Sequence, residues 1–509
     1  MIKPLERVTP ESVGLSSRDV LEYIEALEDI STEMHGIMIT RHGKVLTEGW
    51  WEPYSPYLHH VLQSLTKTYT ATAIGILVDE GKLHLDDNVA EILKDHFPKD
   101  ALPCAANLTL RNLLTMYSGV EEITFASSDT WIEDFFKAIK VEPGSKWCYS
   151  GMCTAMLGAV INAVTGEGIK EFLTPRVFDK IGIDPSNIKW IEHSSGLEYC
   201  GGGIMATTED NLRLGLTYLN MGEFDGQRIV SADWVREATR KQVDNPNHKG
   251  EIGADDESSG YGYQVWCSKV PGNYMFWGAH GQYILNIPAA DISVSMTQFV
   301  DGPGGDYTPV NELKIFDLTW KLADKAVGGA LPEDPENLAK LQKKMAGLTL
   351  DRRPSGPVPP EAYKHSGESF AIEENPLSIL PNVYGTVPGF GICVTQKLPV
   401  NISELGITMD GKEVTVKTVC GGKPFEIKAG LDGINRVTYL DVAHDLPNQV
   451  LTQGLWLDEN TLRLYLRFIE TCYEDIWTIK FGSGQSLTID EFALFTDDGW
   501  MSTTLKAKP

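Results

Sequence analysis

A chain of 509 residues exceeds one typical core and predicts two or three domains. Its 44 Lys and Arg against 70 Asp and Glu give a formal charge of -26, which argues against nucleic acid or an anionic membrane as partner and leaves a solvated acidic surface. The segment Met1-Ile2-Lys3-Pro4-Leu5-Glu6-Arg7 lacks the apolar core of a signal peptide and no long uncharged apolar run follows, so the expected setting is cytoplasmic.

The first predicted element is a helix over 17–28, followed by a hairpin of strands 36–40 and 44–48 turning at Arg41-His42-Gly43. Residues 64–245 read as mostly helical, with starts marked by Thr207-Thr208-Glu209-Asp210 and by Ser231-Ala232-Asp233-Trp234. Strands return at 261–268, 283–287 and 292–299, and a helix over 310–327 closes the unit. A charged helix and the stiff stretch Pro354-Ser355-Gly356-Pro357-Val358-Pro359-Pro360 then lead to short alternating runs at 413–417, 454–457, 461–466, 477–481 and 487–489. The predicted organisation is a first domain at 1–330, a helical and Pro-rich linker at 331–364, and an antiparallel β domain of barrel-like form at 365–509.

The residues that carry chemistry begin at Gln63-Ser64-Leu65-Thr66-Lys67. In a helix, positions i and i+3 share a face, so the Lys67 amine can reach the Ser64 hydroxyl as its proton acceptor. Chance alone supplies roughly two Ser-x-x-Lys pairs in a chain this long, and Ser186-Asn187-Ile188-Lys189 is a second. Context separates them. Ser64 opens a small, apolar run that suits a buried helix, whereas Ser186 follows Pro185 in a polar turn. An ordinary helix cap is the structural alternative for Ser64. Two further segments add weight: Trp147-Cys148-Tyr149-Ser150-Gly151 ahead of a helical run, and Phe276-Trp277-Gly278-Ala279-His280-Gly281-Gln282, whose glycines let a ligand approach strand backbone.

With these boxes in place the chain resembles the serine hydrolases that share the fold of class C β-lactamases and penicillin-binding proteins, and within them the 6-aminohexanoate-dimer hydrolase and esterase branch. The likeness extends to Pro10-Glu11-Ser12-Val13-Gly14-Leu15, Asp79-Glu80-Gly81-Lys82-Leu83, the segment from Leu110 to Gly119 and that from Gly222 to Val230. It implies an α+β fold, an antiparallel sheet flanked by helices with a helical subdomain. It also implies Ser64 as acylated nucleophile, Lys67 as proton acceptor and Tyr149 as proton shuttle. The Ser64 and Ala279 N–H groups would form the oxyanion hole, with Gly278 and His280 beside them; an alternative register puts His280-Gly281-Gln282 in the third box. Lys67 and Tyr149 each need a lowered pKa to act as bases, the lysine by burial and the tyrosine through the lysine's charge.

Two departures from the β-lactamase pattern are visible. Gly151 stands where Tyr-x-Asn would place an amide, and Phe276-Trp277-Gly278 stands where a Lys-Thr-Gly cation would hold a penicillin carboxylate. Trp131, Tyr149, Tyr261, Trp266, Trp277 and Tyr283 are candidates to line the cleft for an uncharged acyl group, or to pack the core. Eight cysteines, at 104, 148, 153, 200, 267, 393, 420 and 472, form no C-x-x-C pair and fit reduced thiols. Neither H-E-x-x-H nor G-x-S-x-G occurs, so no metal or cofactor is implied and the α/β-hydrolase alternative weakens. The expected function is hydrolysis of small amides or esters through an acyl-enzyme. The alternatives are a penicillin-binding-like protein that acylates without turnover and a cytosolic D-aminopeptidase or acyltransferase. The C-terminal domain is open between roofing the cleft, forming a homo-oligomer and binding a ligand.

Overall fold

The computed structural model describes residues 4–31, 33–121, 129–193, 195–300, 310–350, 353–375, 377–380, 399–482, 486–492 and 501–508. They form two compact units, the first ending at Thr349 and the second continuing from Leu350.

Helix α1 (Ser17–Glu28) begins where the Ser16 hydroxyl accepts the Asp19 N–H at 3.0 Å, and Val20, Tyr23, Ile24 and Leu27 bury one stripe of it. The hairpin follows as β1 (Glu33–Arg41) and β2 (Lys44–Trp50), each longer than its predicted strand. Late in the unit come β3 (Trp266–Cys267), β4 (Tyr274–Gly278), β5 (Gln282–Ile287) and β6 (Ile292–Phe299). The six strands form one antiparallel sheet ordered β2-β1-β6-β5-β4-β3, so the two ends of the unit meet where β1 pairs β6. Between them lie α2 (Thr66–Asp79), α3 (Gly151–Thr165) and α4 (Thr208–Leu219); α5 (Val310–Asp324) and α6 (Pro335–Ala346) follow the sheet.

Both faces of the sheet are covered. On one, Leu212 and Leu216 of α4 pack with Met38 and Val45. On the other, Phe316 of α5 meets the Trp277 and Tyr283 rings, each at 5.0 Å between centroids. A fully buried side chain of this size contributes roughly 1.5–3 kcal/mol, against at most about 1 kcal/mol for an exposed ion pair, so apolar burial sets the sheet's place. Helix α6, which the sequence assigned to a linker, packs on this unit, with Lys344 paired to Glu28 at 2.5 Å.

One predicted strand is largely absent. Of 261–268 only Trp266–Cys267 is strand, because Gln264 takes a left-handed φ of 60° and turns its buried amide to the Leu113 and Leu114 carbonyls at 3.0 and 2.9 Å. The helical region also holds a small antiparallel sheet that periodicity did not reveal, His60–Val61, Ile204–Ala206 and Lys189–Trp190.

The second unit is a curled ten-stranded sheet whose neighbours are antiparallel except where Gly430 meets Gln453. Its first and last strands, Ser369–Ala371 and Met501–Lys506, meet through the Ile372–Ala507 bridge. Leu405, Ile407, Val414, Val416, Ile427, Leu464, Trp477 and Ile479 are buried in it. The Pro-rich stretch starts against this unit, where Gln453 Nε2 donates to the Arg353 and Pro354 carbonyls at 3.2 and 3.3 Å. Among the described residues no single helix is long and apolar enough to cross a membrane.

Candidate active site

Ser64 sits in a 3-10 turn, Gln63–Leu65, and the α-helix proper starts at Thr66, two residues later than the sequence reading. Gln63 causes the break with a left-handed φ of 50°, a conformation that costs a side-chain-bearing residue on the order of 1–2 kcal/mol. The neighbours hold it. Leu62 N–H donates to the Ile204 carbonyl at 3.0 Å, and the Thr66 hydroxyl donates to the Gln63 carbonyl at 2.6 Å. Neither the turn nor α2 has a side-chain cap, so the Ser64 hydroxyl is not spent on capping.

The hydroxyl instead meets Lys67. Lys67 Nζ lies 2.9 Å from Ser64 Oγ and 2.5 Å from the Gly201 carbonyl oxygen, and the side chain is 2% exposed. Burial disfavours the ammonium and lowers the lysine pKa to about 7, with the Cys153 thiol pulling weakly the other way. At neutral pH a large fraction of Lys67 is therefore a free amine, within hydrogen-bond distance of the serine hydroxyl.

Tyr149 reaches the same hydroxyl. It precedes Ser150, which caps α3 by accepting the Met152 N–H at 3.2 Å, and its phenol hydrogen-bonds Ser64 while its ring lies 5.1 Å from Lys67 Nζ. The expected depression of its pKa is not found. Burial raises it, and the Ser64 bond offsets that only in part. The half-buried Tyr149, with Trp147, Tyr261 and Trp266 packed about its ring, keeps its proton at neutral pH, as a donor.

The third box lies on β4. A Cβ at Gly278 would stand 2.1 Å from the Leu62 carbonyl oxygen and 3.1 Å from Leu65 N, so only glycine lets this strand end press on the serine turn. Gly278 pairs with Gln282, which makes Ala279-His280-Gly281 the hairpin loop. Ala279 thus follows directly on the contact with the serine turn. His280 is 1% exposed with φ 64°, and its ring stacks on Phe299 at 5.8 Å, so it is no surface residue. A Cβ at Gly281 would meet the Gln298 side chain, not the turn, which favours the Phe276-Trp277-Gly278 register. Gly278→Ala should lower kcat/KM about 100-fold, the effect of roughly 1 Å of misplacement, while the protein stays folded; steady-state kinetics beside a thermal melt checks this.

Of the six aromatic candidates, Tyr149, Tyr261, Trp266 and Trp277 form one cluster. Trp266 stands 5.3 Å from Tyr149 and 5.1 Å from both Tyr261 and Trp277. Trp147, not counted among them from sequence, joins it at 6.1 Å from Tyr149. Tyr283 is the cross-strand partner of Trp277 and donates its hydroxyl to Glu312 at 3.0 Å, the carboxylate that Trp277 Nε1 also meets at 3.2 Å, and Trp131 is tied to Ser195 at 3.2 Å. The second Ser-x-x-Lys pair is not a site: Ser186 donates to Asp184 at 2.7 Å in an exposed turn. Cys148, Cys153 and the other described cysteines are unbridged, while Cys393 lies outside the described residues. The Cys153 thiol is pushed up to about 12 by burial and donates to Ser118 at 3.4 Å, which makes it no nucleophile. Sequence reading missed the Gly201 carbonyl. Its signal was the run Gly201-Gly202-Gly203, which marks a close backbone approach.

Residues 29–315, more than half of the chain, match the Beta-lactamase family model. A 6-aminohexanoate-dimer hydrolase of Paenarthrobacter ureafaciens is 24% identical over 305 residues, covering 54% of this chain and 75% of that protein. Among solved structures, a proposed beta-lactamase from Bacteroides dorei DSM 17855 superposes with a TM-score of 0.50 at 18% identity, over 61% of this chain and 99% of its own. The hydrolase EstCE1, described as having promiscuous acyltransferase activity, gives a TM-score of 0.48 at 18% identity, over 60% of this chain and 99% of its own.

Proposed function

This chain belongs to the Beta-lactamase family and is a serine hydrolase of it, and we propose that it cleaves small, uncharged amides or esters through an acyl-enzyme on Ser64. The observation that carries this reading is the 2.9 Å contact between Ser64 Oγ and a buried Lys67 whose pKa lies near 7. The neutral amine takes the Ser64 proton as Oγ attacks the carbonyl carbon, and the Ser64 and Ala279 N–H groups receive the oxyanion. Tyr149, still protonated, gives its proton to the leaving nitrogen or oxygen and is reprotonated from Lys67; water then releases the acid by the reverse path. Gly151 and Phe276 offer neither an amide for an acylamino group nor a cation for a carboxylate, which turns the preference from penicillins to neutral acyl groups. The name of the Paenarthrobacter relative puts amides of 6-aminohexanoate, blocked at both ends so that they carry no charge, among the substrates to try first.

The test is a time course with p-nitrophenyl butyrate. Continuous release at a rate proportional to enzyme is expected; one equivalent of p-nitrophenol followed by silence would contradict the hydrolase and favour a protein that stays acylated. Tyr149 as proton donor makes a separate prediction. Tyr149→Phe should cost an amide substrate about 100-fold or more in kcat and a p-nitrophenyl ester, whose leaving group needs no proton, roughly tenfold or less. Equal losses on both would remove that role.

A further inference from the structure

We infer that Tyr199 occupies the volume a side chain at position 151 would fill, and that its hydroxyl selects which acyl groups the site accepts; the inference rests on the reading of Ser64 as nucleophile. A Cβ at Gly151 would lie 2.6 Å from Tyr199 Oη, and one at Gly201 would lie 2.9 Å from both Oη and Cζ of the same ring. The hydroxyl is thus wedged between the first residue of α3, two places after Tyr149, and the residue whose carbonyl binds Lys67 Nζ at 2.5 Å. Along its length the ring follows the glycine shelf: a Cβ at Gly202 would lie 3.3 Å from Tyr199 Cε1 and 3.7 Å from the Gln63 carbonyl, next to the nucleophile.

The backbone fixes the ring. Tyr199 N–H donates to Ile191 at 2.8 Å, and its carbonyl accepts from Trp190 Nε1 and Gly203 N–H, both at 3.1 Å. Missing side chains on both flanks make this seat. Gly151 and Gly158 lie seven residues apart on one face of α3, and a Cβ at Gly158 would strike Cys200 Sγ at 2.4 Å. A chain with any larger residue at 151 has no room for Tyr199 as it stands. The polar group at the start of α3, two residues from Tyr149, therefore comes from the 199–203 segment, as a hydroxyl, and not from α3 as an amide. The ligand class it fits is an acyl group with a hydrogen-bonding amide beyond the scissile carbonyl.

The test compares kcat/KM for N-acetylglycyl p-nitrophenyl ester and p-nitrophenyl acetate in the full chain. Tyr199→Phe keeps the volume and removes the hydroxyl, so the ratio of the first to the second should fall about tenfold, as for one lost hydrogen bond to substrate. Gly151→Asn should lose at least about tenfold on both esters, and adding Tyr199→Ala should restore activity to within roughly threefold of wild type by vacating the space. An unmoved ratio in Tyr199→Phe, or full activity of Gly151→Asn alone, overturns the inference. Intact-protein mass after mixing separates the causes: wild type with no acyl adduct sinks the nucleophile and this inference together, whereas a normal adduct with an unmoved ratio sinks this inference alone.

Discussion

Ser64→Ala is expected to abolish turnover of p-nitrophenyl butyrate, lowering kcat by about 10⁴-fold or more, because no other described group is placed to accept the acyl chain. The alternatives near the site are weak. Cys153 holds its proton up to about 12 and is fully buried, and the Ser186 hydroxyl is engaged by Asp184. The substitution removes one partly buried oxygen and leaves the Lys67 contact with the Gly201 carbonyl, so the thermal midpoint should move by no more than a few degrees. A drop in kcat without loss of fold is the expected pair of results. Comparable turnover in the variant would mean that catalysis lies elsewhere.

Lys67→Met should cost about 10³-fold or more in kcat/KM and remove the acidic limb of the pH profile. In wild type the free amine is the base, so kcat/KM should rise with pH through about 7, the pKa that burial gives Lys67, and level off above it. The same depression has a stability consequence with a defined sign. The folded pKa, about 7, lies below the 10.5 of an exposed lysine, so between these values the unfolded chain binds more protons and stability rises with pH. Wild type therefore carries the full burden of a buried ammonium below pH 7 and sheds it toward 10.5. Methionine fills the site without that charge. Its thermal midpoint relative to wild type should be highest at acidic pH and decline from neutral pH upward. A difference independent of pH would show that Lys67 is ionised in the folded state throughout.

Elements with one regular period were legible. The 17–28 helix announces itself through Val20, Tyr23, Ile24 and Leu27 on one stripe, and 292–299 through an unbroken β-rich run. Where a single residue breaks the period the reading fails, as at Gln264, whose turn depends on carbonyls of Leu113 and Leu114 far back in the chain. The strand Ile402–Met409 was missed for a related reason: a bulge between Ile402 and Glu404 shifts the alternation by one. At the site, Ser64, Lys67 and Tyr149 could be named because local spacing and the family boxes mark them. Gly201 was signalled only as one of three consecutive glycines, and Tyr199 not at all, since their roles arise only where the 199–203 segment is laid against α3. The sign of the Tyr149 shift was likewise hidden. It is decided by how much aromatic surface surrounds the phenol, with Trp147, Tyr261 and Trp266 all packed on it.

The most direct measurement is rapid acid quench of the protein with p-nitrophenyl butyrate, followed by peptide mapping of the butyryl group at a pH on either side of 7. A single butyryl adduct on the peptide containing Ser64 is expected, forming faster on the alkaline side and nearly lost in Lys67→Met. An adduct on any other residue, or one on Ser64 that forms at the same rate in Lys67→Met, would contradict a serine activated by a buried neutral lysine.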